Sequence, residues 1–432
     1  MAEDAVTDGG VDSHRTEGEG ALEPQAEAAP MEVFATPDTL RGRLETLRGR
    51  AVDAGIAMRV REIGRSRAGR PLWGVTLGGR VGALGMGQPG RLVTITAGAH
   101  ADEPTGTLAA LGLMERVISD RATNTGNLSG WRFAMVPMAN PDGTAENAAW
   151  FPLMDAGTGA DGDVPVDPRL YFANVRRDAP GDDVEFGYPL PGGPQDDAPV
   201  EADLPPPPPL RPECGAIAAF FAEQTATHGT PALHASLHAM AAAEGAWFLL
   251  GADTKRAAAG PLMTALAAHA RDAGLPPHDS QRNGDKGFHR LGPGFATTPT
   301  GTAMRAHFRK AGDLATAAMF RASSMELAAA LAAEAGGAPP LALVTEIPLF
   351  TLGGTGSRMA LWGTAEAPPP SPTAYESFRA EVPAAAAALA EGDAGALEIL
   401  ISKYALRPVS IPVHVNCQVA TVLLGLEACA AV

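Results

Sequence analysis

A histidine and a glutamate three residues apart, His100 and Glu103, follow the apolar run RLVTITA (91–97), with Gly98 before them and Pro104-Thr-Gly106 after. Imidazole nitrogen and carboxylate oxygen both bind zinc, and a catalytic zinc site takes three protein ligands and leaves a position for water. A third ligand is needed. The run PALHASLHAM (231–240) supplies His238 at its end, 135 residues beyond Glu103. His234 stands four residues earlier and faces the same side of a strand, so alternation alone leaves both histidines open. Taken singly, a His-x-x-Glu pair in a loop also reads as two solvated side chains.

These residues need a frame. Four segments share one design, an apolar or alternating run that ends abruptly in polar residues: 91–103, 131–143, 231–240 and 341–350. Ala- and Leu-rich stretches with helical periodicity, 105–120 and 260–274, lie between them. Strands alternating with helices predict an α/β sheet, and ligands collect beyond the carboxyl ends of such strands. Upstream, TPDTLRGRLETLRGRAVDAG reads as a helix capped by Asp38, with Leu40, Leu44, Leu47 and Val52 on one face and Gly55 at its end. MRVREIGRSRAGRPLWGVTLGG then reads as two strands about a turn at Ala68-Gly69. SSMELAA (323–329) reads as a capped helix start.

The combination resembles the zinc carboxypeptidases, the carboxypeptidase A-like metallopeptidases, over about residues 38–352. REIGRSRAGRPLWGVTLG is similar to that family's opening strand pair and AGAHADEPTG to its first zinc motif. ANPDG (139–143) matches its Asn-Pro-Asp-Gly signature, ASLHAM its second histidine segment and LVTEIP its catalytic-glutamate strand. The resemblance implies an α/β/α sandwich with a mixed, mostly parallel central sheet. It implies His100, Glu103 and His238 as zinc ligands, and Glu346 as the base that takes a proton from the zinc-bound water. Outside that resemblance Glu346 reads as a carboxylate at the end of a buried strand. Asn140 to Gly143 is on its face a turn, and a structural role is expected for it.

Three departures from the family pattern stand out. The cation that holds a substrate's terminal carboxylate has its nearest match in FANVRRD (172–178), giving Asn174, Arg176 and Arg177, but Val175 separates the Asn from the Arg and Phe172 stands where an acid is common. The arginine that helps polarise the carbonyl is absent from AAWFPL (148–153), so that role passes to Arg169 or Arg176 or goes unfilled. No tyrosine occurs from 239 to 345, where the family's mobile tyrosine falls; the histidines and arginines of that interval, Arg282 among them, read mostly as surface residues.

Composition narrows the partners. The 432 residues are 45% apolar with a formal charge of −16, and nine acids against Arg15 alone in residues 1–32 account for half of it. Scattered arginines among acids exclude a nucleic-acid surface, which needs clustered cations. An anionic membrane is excluded on the same ground. No apolar run reaches the roughly 20 residues of a spanning helix; VATVLLGLEACAAV (419–432) is shorter and holds Glu427. Three cysteines without redox or metal spacing predict no disulfide framework, and the N-terminus lacks a signal-peptide pattern, so a cytoplasmic location is expected.

The expected layout is a disordered acidic tail (1–32), a catalytic domain (33–363) with an insertion or rim loop (151–212), and a linker with a helical C-terminal region (364–432). The expected function is hydrolysis of a C-terminal or peptide-like amide bond with zinc as cofactor. Deacylation of an N-acyl amino acid, as in desuccinylase- and aspartoacylase-like proteins, is the second enzymatic reading. A pseudoenzyme that recognises peptide termini is the third, from a different class.

Overall fold

The computed structural model describes residues 31–80, 91–123, 127–154, 164–192, 204–251, 256–280, 282, 284–353 and 373–431. The acidic tail, apart from residues 31–32, and the Pro-rich start of the expected linker lie outside the described residues. The chain runs β1 (Met31–Glu32), α1 (Pro37–Asp53), β2 (Ile56–Arg65), β3 (Pro71–Arg80), β4 (Arg91–Ala97), α2 (Thr105–Thr123), β5 (Trp131–Val136), α3 (Pro141–Asn147), β6 (Leu153–Met154) and α4 (Pro168–Asn174). It continues through α5 (Pro212–His228), β7 (Pro231–Ala243), β8 (Trp247–Leu250), α6 (Arg256–Asp272), β9 (Arg290–Gly292), β10 (Phe295–Thr297), α7 (Gly301–Lys310), α8 (Leu314–Met319) and α9 (Ser324–Glu334). β11 (Leu341–Thr351), α10 (Ala374–Ala390), α11 (Ala394–Lys403), β12 (Arg407–Pro408) and α12 (Ile411–Ala430) complete it.

The four segments of shared design are the four central strands, adjacent and parallel in the order β5-β4-β7-β11. Buried on both faces, they read as nearly continuous apolar runs, as parallel strands do. Antiparallel pairing closes the flanks, β3 on β5 and β2 on β3 at one side, β8 on β11 at the other. Helices cover both faces, with α1, α2, α6 and α12 in one layer and α5 and α9 in the other. The expected α/β/α sandwich with a mixed sheet is the fold.

Two details of the opening helix differ from expectation. Thr36, not Asp38, is the N-cap of α1 and forms a capping box with Thr39, because Pro37 fills the first helical position and moves Asp38 into the first turn. Val52 is half-exposed while Leu40, Leu44 and Leu47 are buried. The strand pair turns at Gly69, whose φ of +81° favours glycine, and α9 starts in a capping box of Ser323 and Glu326.

α12 is long and apolar enough to cross a membrane by length and composition, where the sequence reading found no such run. Its face bearing Cys417, Val422 and Leu426 lies in the main core, packed on α2, α6, β7 and β11. The helical C-terminal region is therefore part of the sandwich. The expected linker residues TAYESF begin α10, capped by Thr373.

Two histidines in this core carry a stability prediction. His234 on β7 and His414 on α12 are buried, and desolvation lowers their pKa to about 4 and about 3. Each is neutral when folded and gains a proton more readily when unfolded, so its contribution is complete above pH 6.5 and is lost as pH falls through that value toward the folded pKa. From pH 7 to pH 5 the pair costs on the order of 4 kcal/mol of unfolding free energy, measurable by urea titration. His234→Asn keeps a hydrogen-bonding group for Thr94 Oγ1, 2.9 Å from the His234 Nδ1, and should remove about half of that pH dependence. An unchanged slope would rule the account out.

Candidate metal centre and its cavity

The register of the sheet assembles the site. Glu346 on β11 pairs with His238 on β7, so the two side chains stand side by side on one face. The His100 loop leaves β4, the other neighbour of β7, after Gly98 at φ +61°. α2 can then lie against β7 because residue 106 is glycine; a Cβ there would stand 2.2 Å from the Leu237 carbonyl oxygen.

His100, Glu103 and His238 converge, their ligand atoms all within 4.8 Å of one another. His100 Nδ1 is 2.8 Å from Glu103 Oε1, His238 Nδ1 is 2.8 Å from Glu103 Oε2, and the two Nδ1 atoms are 3.1 Å apart. Two imidazole nitrogens facing each other around a carboxylate fit a cation. Zinc ligands at about 2.0–2.1 Å in a tetrahedron are roughly 3.3 Å from each other, close to the spacing present. The donor set of two nitrogens and one carboxylate is that of a catalytic zinc site. Without an ion, burial opposes a proton on His100 but the Glu103 charge outweighs it and lifts its pKa to about 9, while the two imidazoles hold Glu103 low. His234 is not part of the cluster; it is buried further along β7, against Phe221 and Thr94.

His238 is held from behind by a residue that sequence reading missed. Its Nε2 lies 2.8 Å from Ser236 Oγ and 3.2 Å from Glu185 Oε2, and Ser324 Oγ donates to Glu185 Oε1 at 3.1 Å. Glu185 is only 4% exposed. Burial works against its charge, but the hydrogen bond and charge of His238 hold its pKa below the usual value. It comes from the segment read as a rim loop, among Asp178, Asp182 and Asp183, where nothing in the spacing singles out one acid. Flanking Val184 and Phe186, both buried, are the one local sign that this acid points inward.

Glu346 lines a cavity of about 450 Å³ together with Glu103. Burial, then the Glu103 charge, push its carboxyl up to about 8. Of the three expected substrate-binding residues only Arg177 lines this cavity, and its guanidinium pairs with buried Asp102 at 2.7 Å. Asn174 donates back to the Leu170 carbonyl and Arg176 to the Val175 carbonyl, because Asn147 grips the Arg176 backbone at both N and O. Asn174 and Arg176 therefore do not line this cavity. Arg169 pairs with Glu398 outside it. Tyr171, from α4, and Tyr375, from α10, bring tyrosines to the cavity that lie outside the searched interval, and Arg282 proves to be a lining residue.

The Asn-Pro-Asp-Gly segment is structural, as expected. Asn140 caps α3, accepting from Gly143 N, and donates to Asp178 Oδ2 at 2.7 Å. Asp142 accepts from Ser66 Oγ, Ala68 N and Arg70 Nη1, tying the β2–β3 turn to the site.

Residues 45–151 match the family model described as zinc carboxypeptidase. The resemblance read from the motifs is thus found over the segment that carries His100, Glu103 and the Asn-Pro-Asp-Gly turn; His238 and Glu346 join it through the sheet register. No curated protein matches this chain by sequence. Among solved structures, carboxypeptidase A from Helicoverpa armigera is 15% identical with a TM-score of 0.40, covering 73% of this chain and 65% of that one. A metallo-carboxypeptidase from Burkholderia cenocepacia is 17% identical with a TM-score of 0.35, over 72% and 59%. Bovine thrombin-activatable fibrinolysis inhibitor in complex with tick carboxypeptidase inhibitor is 15% identical with a TM-score of 0.32, over 56% and 70%. The chain thus spans about two thirds of the insect protein's length.

Proposed function

We propose that this chain is a zinc metallopeptidase of the carboxypeptidase type, acting on a short peptide or peptide-like amide. The observation that carries this is the convergence of His100, Glu103 and His238 beside Glu346 in one cavity. A zinc ion held by those three residues would polarise the scissile carbonyl and acidify a water. Glu346, on the same face and in the same cavity, accepts the proton of the attacking water at its carboxylate and delivers it to the departing amine nitrogen. Its place beside the three ligands lets one carboxylate serve both halves of that exchange.

A cavity of about 450 Å³ is in the range of small-molecule sites and admits a residue or two rather than a folded chain. Apolar and aromatic walls from α4, β8 and α10, with Arg177 at hand, suit the end of a peptide or an acylated amino acid. The test is metal content of the purified protein with hydrolysis of a mixed library of short peptides, before and after chelation. The expected result is one zinc per chain and cleavage that stops on chelation and returns with zinc. Zinc without peptide cleavage, but with release of acyl groups from N-acyl amino acids, would replace the peptidase by the deacylase. Absence of zinc binding would overturn both.

A further inference from the structure

The cavity holds more positive charge than Glu346 alone faces, although the charge of one of its cations, Arg282, does reach Glu346. The Arg282 guanidinium carbon lies 5.1 Å from the Trp247 ring centroid and 4.4 Å from that of Phe288. Arg379, on α10, lies 5.4 Å from the Tyr375 ring centroid. Both line the same cavity as Glu103 and Glu346; among the described residues the carboxylate that feels Arg282 is Glu346 itself, at longer range than a salt bridge. Lys286 adds a third cation close by, its ammonium 5.3 Å from the Phe308 ring. The adjoining Asp285, hydrogen-bonded to His307, also acts on Lys286 and opposes the two arginines.

Stacking on rings could in principle be packing alone, and one arginine over one ring would need no other account. Two guanidinium groups and an ammonium gathered this closely are different, because like charges repel. Burial, then the charges of Arg282 and Arg379, indeed lower the pKa of Lys286. The whole chain carries −16, so this local excess runs against its composition. A guanidinium over an aromatic ring forms no N–H hydrogen bond to that ring's carbons and can still present its planar fork to an oxyanion. Arg177 differs from these in being paired already with Asp102.

We propose that Arg282 and Arg379 form an anion subsite for a second acidic group of the substrate, so that the preferred substrate ends in two carboxylates. The proposal rests on the amide-hydrolase reading for which bond is cut, and on the cavity alone for what is bound. Such an end has two sources: an acidic C-terminal residue, with main-chain and side-chain carboxylates, or a dicarboxylic acyl group on an amine.

Calorimetry on the zinc-loaded protein with glutarate and butyrate separates the second carboxylate from the first, since both acids offer one carboxylate to the metal or to Arg177. Glutarate should bind about tenfold or more tightly than butyrate, the scale of one charge-assisted contact. Arg282→Gln should abolish that preference and leave butyrate binding unchanged. Arg379→Gln, at an exposed helix position, should do the same if Arg282→Gln fails to fold. Equal binding of the two acids by the native protein, or a preference that survives in Arg379→Gln and any folded Arg282→Gln, would overturn the subsite. Hydrolysis of benzoyl-Gly-Glu faster than benzoyl-Gly-Phe would assign the peptide source, and hydrolysis of N-glutaryl-phenylalanine the acyl source; fastest cleavage of benzoyl-Gly-Phe would overturn the proposal. If none is cleaved while the glutarate preference holds, the hydrolase reading fails and the subsite stands.

Discussion

Glu346→Gln should reduce amide hydrolysis by about 10²- to 10⁴-fold, the usual range for loss of a positioned acid–base group, while the zinc content of the protein stays at one per chain. The amide is nearly isosteric with the carboxylate and cannot take up a proton. Glu346 lies next to His238 in the sheet register, but the three ligand atoms group without it. The split between lost turnover and kept metal is therefore the signature to look for. Loss of zinc in Glu346→Gln would make Glu346 a ligand and overturn its role as base. Full activity in a zinc-loaded Glu346→Gln would place proton transfer elsewhere.

Glu185→Gln is expected to weaken zinc binding by about 10- to 100-fold, as loss of an outer carboxylate behind a metal-bound histidine does. Glu185 touches His238 Nε2, the nitrogen facing away from the cluster, and is fixed in turn by Ser236 and Ser324. Its charge raises the basicity of the imidazole and sets which nitrogen carries the proton. Competition with a chromogenic chelator measures the affinity, and the cobalt-substituted protein's absorption spectrum reports any change in ligand geometry. Ser324→Ala provides the comparison, since it removes one anchor of Glu185 but leaves its charge beside His238. A purely structural Glu185 would lower the melting temperature in both variants and leave the affinity of folded protein unchanged.

What was legible in the sequence follows from how local each signal is. The central strands were readable because parallel strands buried on both faces must be apolar throughout, and the end of β4 marks His100 and Glu103; His238 and Glu346 lie inside β7 and β11 and were reached through the motif resemblance. Arg282, Glu185 and Tyr375 were not readable as cavity or site residues, because each is placed by tertiary packing rather than by period or motif. Glu185 stands in an acidic loop, Arg282 itself outside any helix or strand, and Tyr375 on a helix that begins where a proline-rich stretch ends. Asn174 and Arg176 lie off the cavity for a related reason. The local pattern around them was near the expected one, but Asn147, 29 residues earlier than Arg176, holds the backbone so that both side chains bond to carbonyls of their own segment.

The last helix sets an order of events for the whole molecule. Gln418 on α12 donates to the His238 carbonyl at 3.1 Å, across a separation of 180 residues, and Leu233 and Leu343 on the two central strands close over Gly425. Contacts that span so much chain form late, because closing a long loop costs entropy before the contact returns any. During synthesis β4 and α2, with two of the three metal donors, emerge some three hundred residues before α12 and have no finished β7 to meet. A chain still growing therefore carries His100 and Glu103 before the helix that holds the His238 backbone exists.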